Sequence, residues 1–199
     1  AAELANLDTR QTAIIDTRPW RAFRDGHVPG SLFAPLDGTF HMVVGSYVDE
    51  DEPIVLIVEP ARVEEAVRDL VRIGLDRITG WVDASEMERY ESVGGTLVPT
   101  SEIDVDAAAD RIGSEHVLFL DVRRADEFAA GHIPGAVNVA YPRLPEHLEE
   151  LPRDKRLIVS CLGGGRSARA CAFLQRHGFE VSNLAGGYRA WEARETVTA

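Results

Sequence analysis

The chain repeats itself, and the repeat constrains its fold more than any other feature. Ile14-Ile15-Asp16-Thr17-Arg18 followed by Gly26-His27-Val28-Pro29-Gly30-Ser31 returns as Phe119-Leu120-Asp121-Val122-Arg123 followed by Gly131-His132-Ile133-Pro134-Gly135-Ala136, both at an offset of 105 residues. A third region agrees. Ile54 to Val58, a helical pattern from Arg62 to Ile73 and Ile78-Thr79-Gly80-Trp81 answer Leu157 to Ser160, Ser167 to His177 and Leu184-Ala185-Gly186-Gly187. The 199 residues are therefore two copies of one unit, each long enough to bury its own core. Short β-branched runs alternate with amphipathic segments, which predicts an α/β unit: a parallel sheet with helices on both faces.

In the first copy the spacing predicts a helix from Pro19 to Arg24, a long connection from Leu32 to Pro53, a strand from Ile54 to Val58 and a short helix from Asp83 to Tyr90 capped by Asp83. Gly94-Gly95 and Pro99 mark residues 92–100 as a linker. In the second copy Asp104 or Asp106 caps a helix running to about Ile112, Asp126 and Glu127 open the next helix, and Tyr141 to Leu151 forms a proline-punctuated helical connection. By the 105-residue offset Ala1 corresponds to Asp106, so the first copy lacks counterparts of Thr100 to Val105. Together with the absence of a starting methionine, this reads as a fragment of a longer chain.

A formal charge of −12 leaves no basic cluster for a nucleic-acid partner. The sequence holds neither an apolar run of spanning length nor a signal peptide, so the reading is a cytoplasmic protein without membrane contact. His27, His41, His116, His132, His147 and His177 are scattered, and no Cys or His spacing suits a metal.

The chemistry concentrates in Cys161-Leu162-Gly163-Gly164-Gly165-Arg166-Ser167. The turn follows the apolar strand Leu157-Ile158-Val159 and precedes Ala168 to His177, which has helical spacing. Three glycines let the backbone curl so that several N–H groups point at one spot. The following helix adds its own unpaired N–H groups, and Arg166 a full charge, all favouring the thiolate that a nucleophilic cysteine needs. Ser167 reads as the helix N-cap, with a hydroxyl near the sulfur as the second option. Arg166 either orients a substrate or fixes the loop. Asp121 and Arg123 read as a structural ion pair, and His132 as a turn residue because His27 repeats it in the copy without a cysteine. Cys171 reads as core, and Tyr188 and Trp191 as packing of the terminal helix.

Leu120 to Arg123 with Glu127-Phe128, then Gly131 to Asn138, then Cys161 to Ser167, resemble the successive motifs of the rhodanese (sulfurtransferase) family over the whole second copy. The first copy resembles a rhodanese domain as well. The resemblance implies tandem rhodanese-like domains: an inactive one over residues 1–91, with Glu59 at the cysteine position and Pro60-Ala61-Arg62 in place of the glycine turn, and an active one over 101–199. It further implies that Cys161 takes sulfane sulfur from thiosulfate or a low-molecular-weight persulfide and passes it to a thiol or cyanide. Leu162, Gly163, Gly164, Gly165, Arg166 and Ser167 bind the substrate, and no cofactor is needed beyond the Cys161 persulfide. Cys161 and Arg166 are separated by four residues, against five in phosphate-handling cysteine enzymes of related architecture, and the smaller ring of donors suits a single terminal sulfur. Arg166, Arg169 and Arg143 supply the local attraction for an anionic donor. The long connection and degenerate loop of the first copy also resemble the rhodanese repeats that follow a metallo-β-lactamase-like domain in bacterial persulfide-dioxygenase fusions. Such a domain is then a partner upstream, and the alternative to an enzyme is a persulfide carrier that serves it without turnover.

Overall fold

The computed structural model describes residues 2–198, and Ala1 and Ala199 lie outside the described residues. The chain divides into two compact units, residues 1–99 and 100–199.

Unit 1 is a four-stranded sheet in the order β2-β1-β3-β4, all parallel: β1 (Ala13–Asp16), β2 (Leu32–Phe33), β3 (Ile54–Val58) and β4 (Ile78–Asp83). Parallel neighbours need crossovers, and the helices supply them: α1 (Trp20–Asp25), α2 (Phe40–Tyr47) and α3 (Val63–Val71). Strand side chains alternate between faces, so Ile14, Val55 and Ile57 turn one way and pack with Leu4, Val28, Met87 and Tyr90. The long connection from Leu32 to Pro53 carries both β2 and α2. Phe40, Val43, Val44 and Tyr47 bury one stripe of α2 at a helical spacing that Gly45 and Ser46 obscure. The segment expected as a linker, residues 92–100, contains the boundary between the units, and its Val98 is held by unit 1. The His27 and Val98 backbones exchange two hydrogen bonds of 3.0 and 2.9 Å, which fastens this segment to unit 1.

Unit 2 has five parallel strands in the order β5-β9-β8-β6-β7: β5 (Ser101–Ile103), β6 (Val117–Asp121), β7 (Val137–Asn138), β8 (Arg156–Ser160) and β9 (Val181–Leu184). Phe119, Ile158 and Leu184 form a core on one face with Ala108 of α4 (Val105–Ala109) and Trp191 of α8 (Gly187–Thr198). The helix α7 (Gly165–Arg176) packs on β8 and β9 and buries Ala168, Cys171, Ala172 and Leu174. Asp104 is the cap of α4, accepting the Ala107 amide at 2.8 Å, and the helix ends three residues short of Ile112. The segment from Tyr141 to Leu151 winds as 3-10 and α turns, including α6 (Leu144–His147), and α5 spans Ala125–Ala130.

One ion pair recurs in both units. Asp121 ends β6 and receives Arg123 Nη2 at 2.7 Å, while the same nitrogen donates to the Gly131 carbonyl at 2.7 Å. In unit 1 Arg18 binds Asp16 at 2.7 Å and the Gly26 carbonyl at 2.8 Å. Each pair closes the strand end onto the turn after the next helix, eight residues on, which explains why both motifs recur at one offset. Side-chain exposure is 3% for Arg123 and 1% for Asp121, so neither charge keeps its water. Removing one partner strands the other in the interior. Arg123→Ala is therefore expected to lower unfolding free energy by roughly 3 kcal/mol, read from urea denaturation midpoints at constant m.

Candidate active site

Cys161 stands at the carboxyl end of β8, a central strand whose residues from Leu157 to Ser160 are buried. The chain leaves the sheet there and re-enters order four residues later. Gly164, at φ +97°, is the N-cap of α7, and the helix begins at Gly165. Only glycine holds that left-handed conformation without strain. Ser167 is consequently not the N-cap. It lies in the first turn, fully buried, with Oγ 3.4 Å from the Cys161 Sγ and 3.0 Å from the Gly164 carbonyl oxygen, and its single proton serves one of them at a time.

The start of α8 shapes the turn from outside. The Tyr188 amide donates to the Cys161 carbonyl at 2.7 Å and the Arg189 amide to the Leu162 carbonyl at 3.1 Å. A Cβ on Gly187 would overlap the Cys161 carbonyl oxygen and sit 2.9 Å from the Gly163 nitrogen, and its φ is +60°. Gly186-Gly187, matched in sequence only as a repeat, is thus the seat on which the turn rests. With two carbonyls committed to α8, the Gly164 amide is free to donate to the sulfur at 3.1 Å. Among the described residues, that amide and the Ser167 hydroxyl come within hydrogen-bond reach of Sγ. Gly163 and Gly165 are exposed, and a Cβ on either would meet nothing within 4 Å.

Arg166 has a partner the sequence did not suggest. Its Nη1 and Nη2 donate to Oε2 and Oε1 of Glu127, both at 2.7 Å. This parallel, bidentate pair links the turn to α5. The guanidinium beside Glu127 holds that carboxyl down at about 2. Arg166 is in turn pushed up, chiefly by Glu127 and further by the nearby Cys161. Arg143, expected to attract donors, pairs with Glu146 at 2.8 Å.

The remaining residues stand where packing puts them. His132 stacks on Phe128 at 3.9 Å and bonds its carbonyl through Nδ1, and His27 does the same on Phe23. Cys171 is fully buried, and burial pushes its thiol well up. Trp191 is core, whereas Tyr188 lies half-buried under the Arg123 guanidinium, 4.3 Å from its ring centre.

In unit 1 the strand register corrects the expected alignment by one residue. Asp121 pairs with Ser160, and Asp16 with Ile57; the Val122 amide bonds Ser160 O as the Thr17 amide bonds Ile57 O. Cys161 therefore answers to the buried Val58, and Glu59 sits one residue further on, exposed. Pro60–Arg62 form a 3-10 turn, and Arg62 donates to Glu65 and to the Leu36 carbonyl.

A rhodanese-like domain model matches this chain twice, at residues 1–87 and 104–194. The chain belongs to the rhodanese family. Its curated relatives include a protein of Allochromatium vinosum named sulfurtransferase, 38% identical over 93 residues, which are 46% of this chain and 87% of that one. Thiosulfate sulfurtransferase 16 of Arabidopsis thaliana is 37% identical over 107 residues, 47% of this chain and 88% of its own. A solved rhodanese-related protein from Thermoplasma volcanium is similar at 31% identity and TM-score 0.45, over 47% of this chain and 92% of that one. Each of these relatives is thus about as long as one rhodanese copy.

The Glu127–Arg166 pair sets a pH dependence. Glu127 is depressed from 4.5 to about 2, so its contribution is complete above about 4.5 and fades as pH falls toward 2. Glu127→Gln should unfold at lower urea than the unaltered protein at pH 6, with the gap between the two midpoints narrowing steadily below pH 4.5.

Proposed function

We propose that this rhodanese is a sulfurtransferase whose nucleophile is Cys161. The observation that carries the reading is the sulfur's setting: a thiol at a strand end, with the Gly164 amide donating to it at 3.1 Å and the Ser167 hydroxyl within reach at 3.4 Å. Relatives named sulfurtransferases support the reaction class.

In the first step Cys161 thiolate attacks the outer sulfur of thiosulfate or of a low-molecular-weight persulfide. A new S–S bond forms, the old one breaks, and sulfite or a thiolate leaves with the electron pair. The outer sulfur of the resulting persulfide carries the negative charge, one bond beyond Sγ. Fixed amide donors stabilise such charge without reorganising. In the second step a thiolate or cyanide attacks that outer sulfur, and Cys161 thiolate is regenerated. No cofactor takes part.

The glycines fit this account. Gly164 is required by its backbone angle, but Gly163 and Gly165 have neither a positive φ nor a close neighbour. Bare backbone there leaves amides uncovered for a small ligand. Gly163→Ala is expected to keep stability within about 0.5 kcal/mol while slowing persulfide formation in single-turnover measurements.

The direct test is intact-mass measurement after exposure to thiosulfate or glutathione persulfide. A gain of about 32 Da that is lost in Cys161→Ser is the expected result. Equal labelling of that variant overturns the assignment. Catalytic formation of thiocyanate from thiosulfate and cyanide then separates an enzyme from a carrier, which would yield one equivalent.

A further inference from the structure

Two of the three cations that the sequence offers to an anionic donor, Arg166 and Arg143, are already paired. Both terminal nitrogens of Arg166 lie on Glu127, Arg123 is buried on Asp121 and the Gly131 carbonyl, Arg124 binds Asp126 at 2.8 Å, and Arg143 binds Glu146. A chain of formal charge −12 repels anions at long range, so a donor carrying negative charge needs a local counter-charge at the turn.

Arg189 is the candidate for that need, because its backbone is tied to the turn. Its own amide is bonded to the Leu162 carbonyl, so the backbone that carries its side chain is fixed against the rim of the turn, beside the exposed Gly163. The side chain is exposed, and among the described residues its guanidinium has no hydrogen bond or ion pair. Glu192, one turn along α8, does not hold it. A fork of planar donors without a protein partner among the described residues, on backbone tied to the turn, suits an oxyanion.

Building on the sulfurtransferase reading of Cys161, we propose that Arg189 is the specificity-determining residue of the site. It binds the negative group attached to the transferred sulfur: the sulfonate end of thiosulfate or a carboxylate of a thiol persulfide. It takes no part in bond making. Its charge draws the donor in and is left behind when sulfite or thiolate departs. The shared chemistry is sulfane sulfur next to an anionic group.

Steady-state kinetics of the whole chain with cyanide as acceptor test this, using Arg189→Ala and Arg189→Lys and two donors, thiosulfate and glutathione persulfide. Both variants keep the backbone amide that holds Leu162, and thermal melts check that they fold. Arg189→Ala is expected to raise the donor KM roughly tenfold with kcat within about twofold, and Arg189→Lys to fall between. The increase of KM with added salt seen in the unaltered protein should flatten in Arg189→Ala. The donor with the larger KM change identifies which anion the residue reads. Unchanged KM for both donors, or a fall in kcat matching any rise in KM, overturns the proposal while leaving Cys161 chemistry intact. Failure of the unaltered protein to form the Cys161 persulfide overturns both.

Discussion

Two backbone hydrogen bonds hold the candidate site together. The amides of Tyr188 and Arg189 take the carbonyls of Cys161 and Leu162, and this can happen only because Gly187 has no Cβ to strike the turn. Carbonyls facing the sulfur would repel a thiolate or persulfide. Drawing them toward α8 leaves the sulfur facing the Gly164 amide and the Ser167 hydroxyl. The Glu127–Arg166 pair grips the same turn from α5. The turn is thereby fixed from two helices that lie far apart in sequence, which gives its donors the preorganisation that electrostatic stabilisation requires.

Unit 1 shows how much of the scaffold survives without that grip. Its Asp16–Arg18 pair, its stacked His27 and its strand register repeat those of unit 2. Val58 stands where Cys161 stands, Pro60–Arg62 tighten into a 3-10 turn, and β4 leads into Ala84-Ser85 in place of the glycine pair. Arg62 finds Glu65 within its own helix region, not a carboxylate from the helix after β1. The parts that recur in both copies are those that close the sheet. The parts confined to unit 2 are those that shape the turn, so fold and chemistry separate cleanly along the residues.

What the sequence made legible follows from how local each interaction is. The strands, the parallel sheet and the glycine turn announce themselves through period, β-branching and backbone freedom. The Asp121–Arg123 pair was legible because its partners are two residues apart and its motif occurs twice. Glu127 was not: it lies 39 residues from Arg166, and its place in the first turn of α5 already accounts for an acidic residue. Ser167 was misplaced because a cap preference, strong in general, yields to Gly164, whose positive φ starts the helix three residues earlier. The one-residue error at Glu59 has a similar origin. Glu59 follows the apolar run Ile54 to Val58 as Cys161 follows Leu157 to Ser160, while hydrogen-bond register, which sequence cannot display, selects Val58.

The placement of charge completes the physical picture. Glu127 is one of 33 acidic residues in a chain with 21 Lys and Arg, and it is paired with an arginine on the turn that carries the sulfur. A free Arg166 on a glycine-rich turn could reach several carbonyls and collapse the cradle onto itself. Neutralised and bidentate, it contributes rigidity in place of field. Attraction and shape are then carried by different residues: shape by Glu127, Arg166, Gly187 and the α8 amides, attraction by the exposed rim. A rim charge can change with the donor to be recognised while the turn that would hold the sulfur stays as it is.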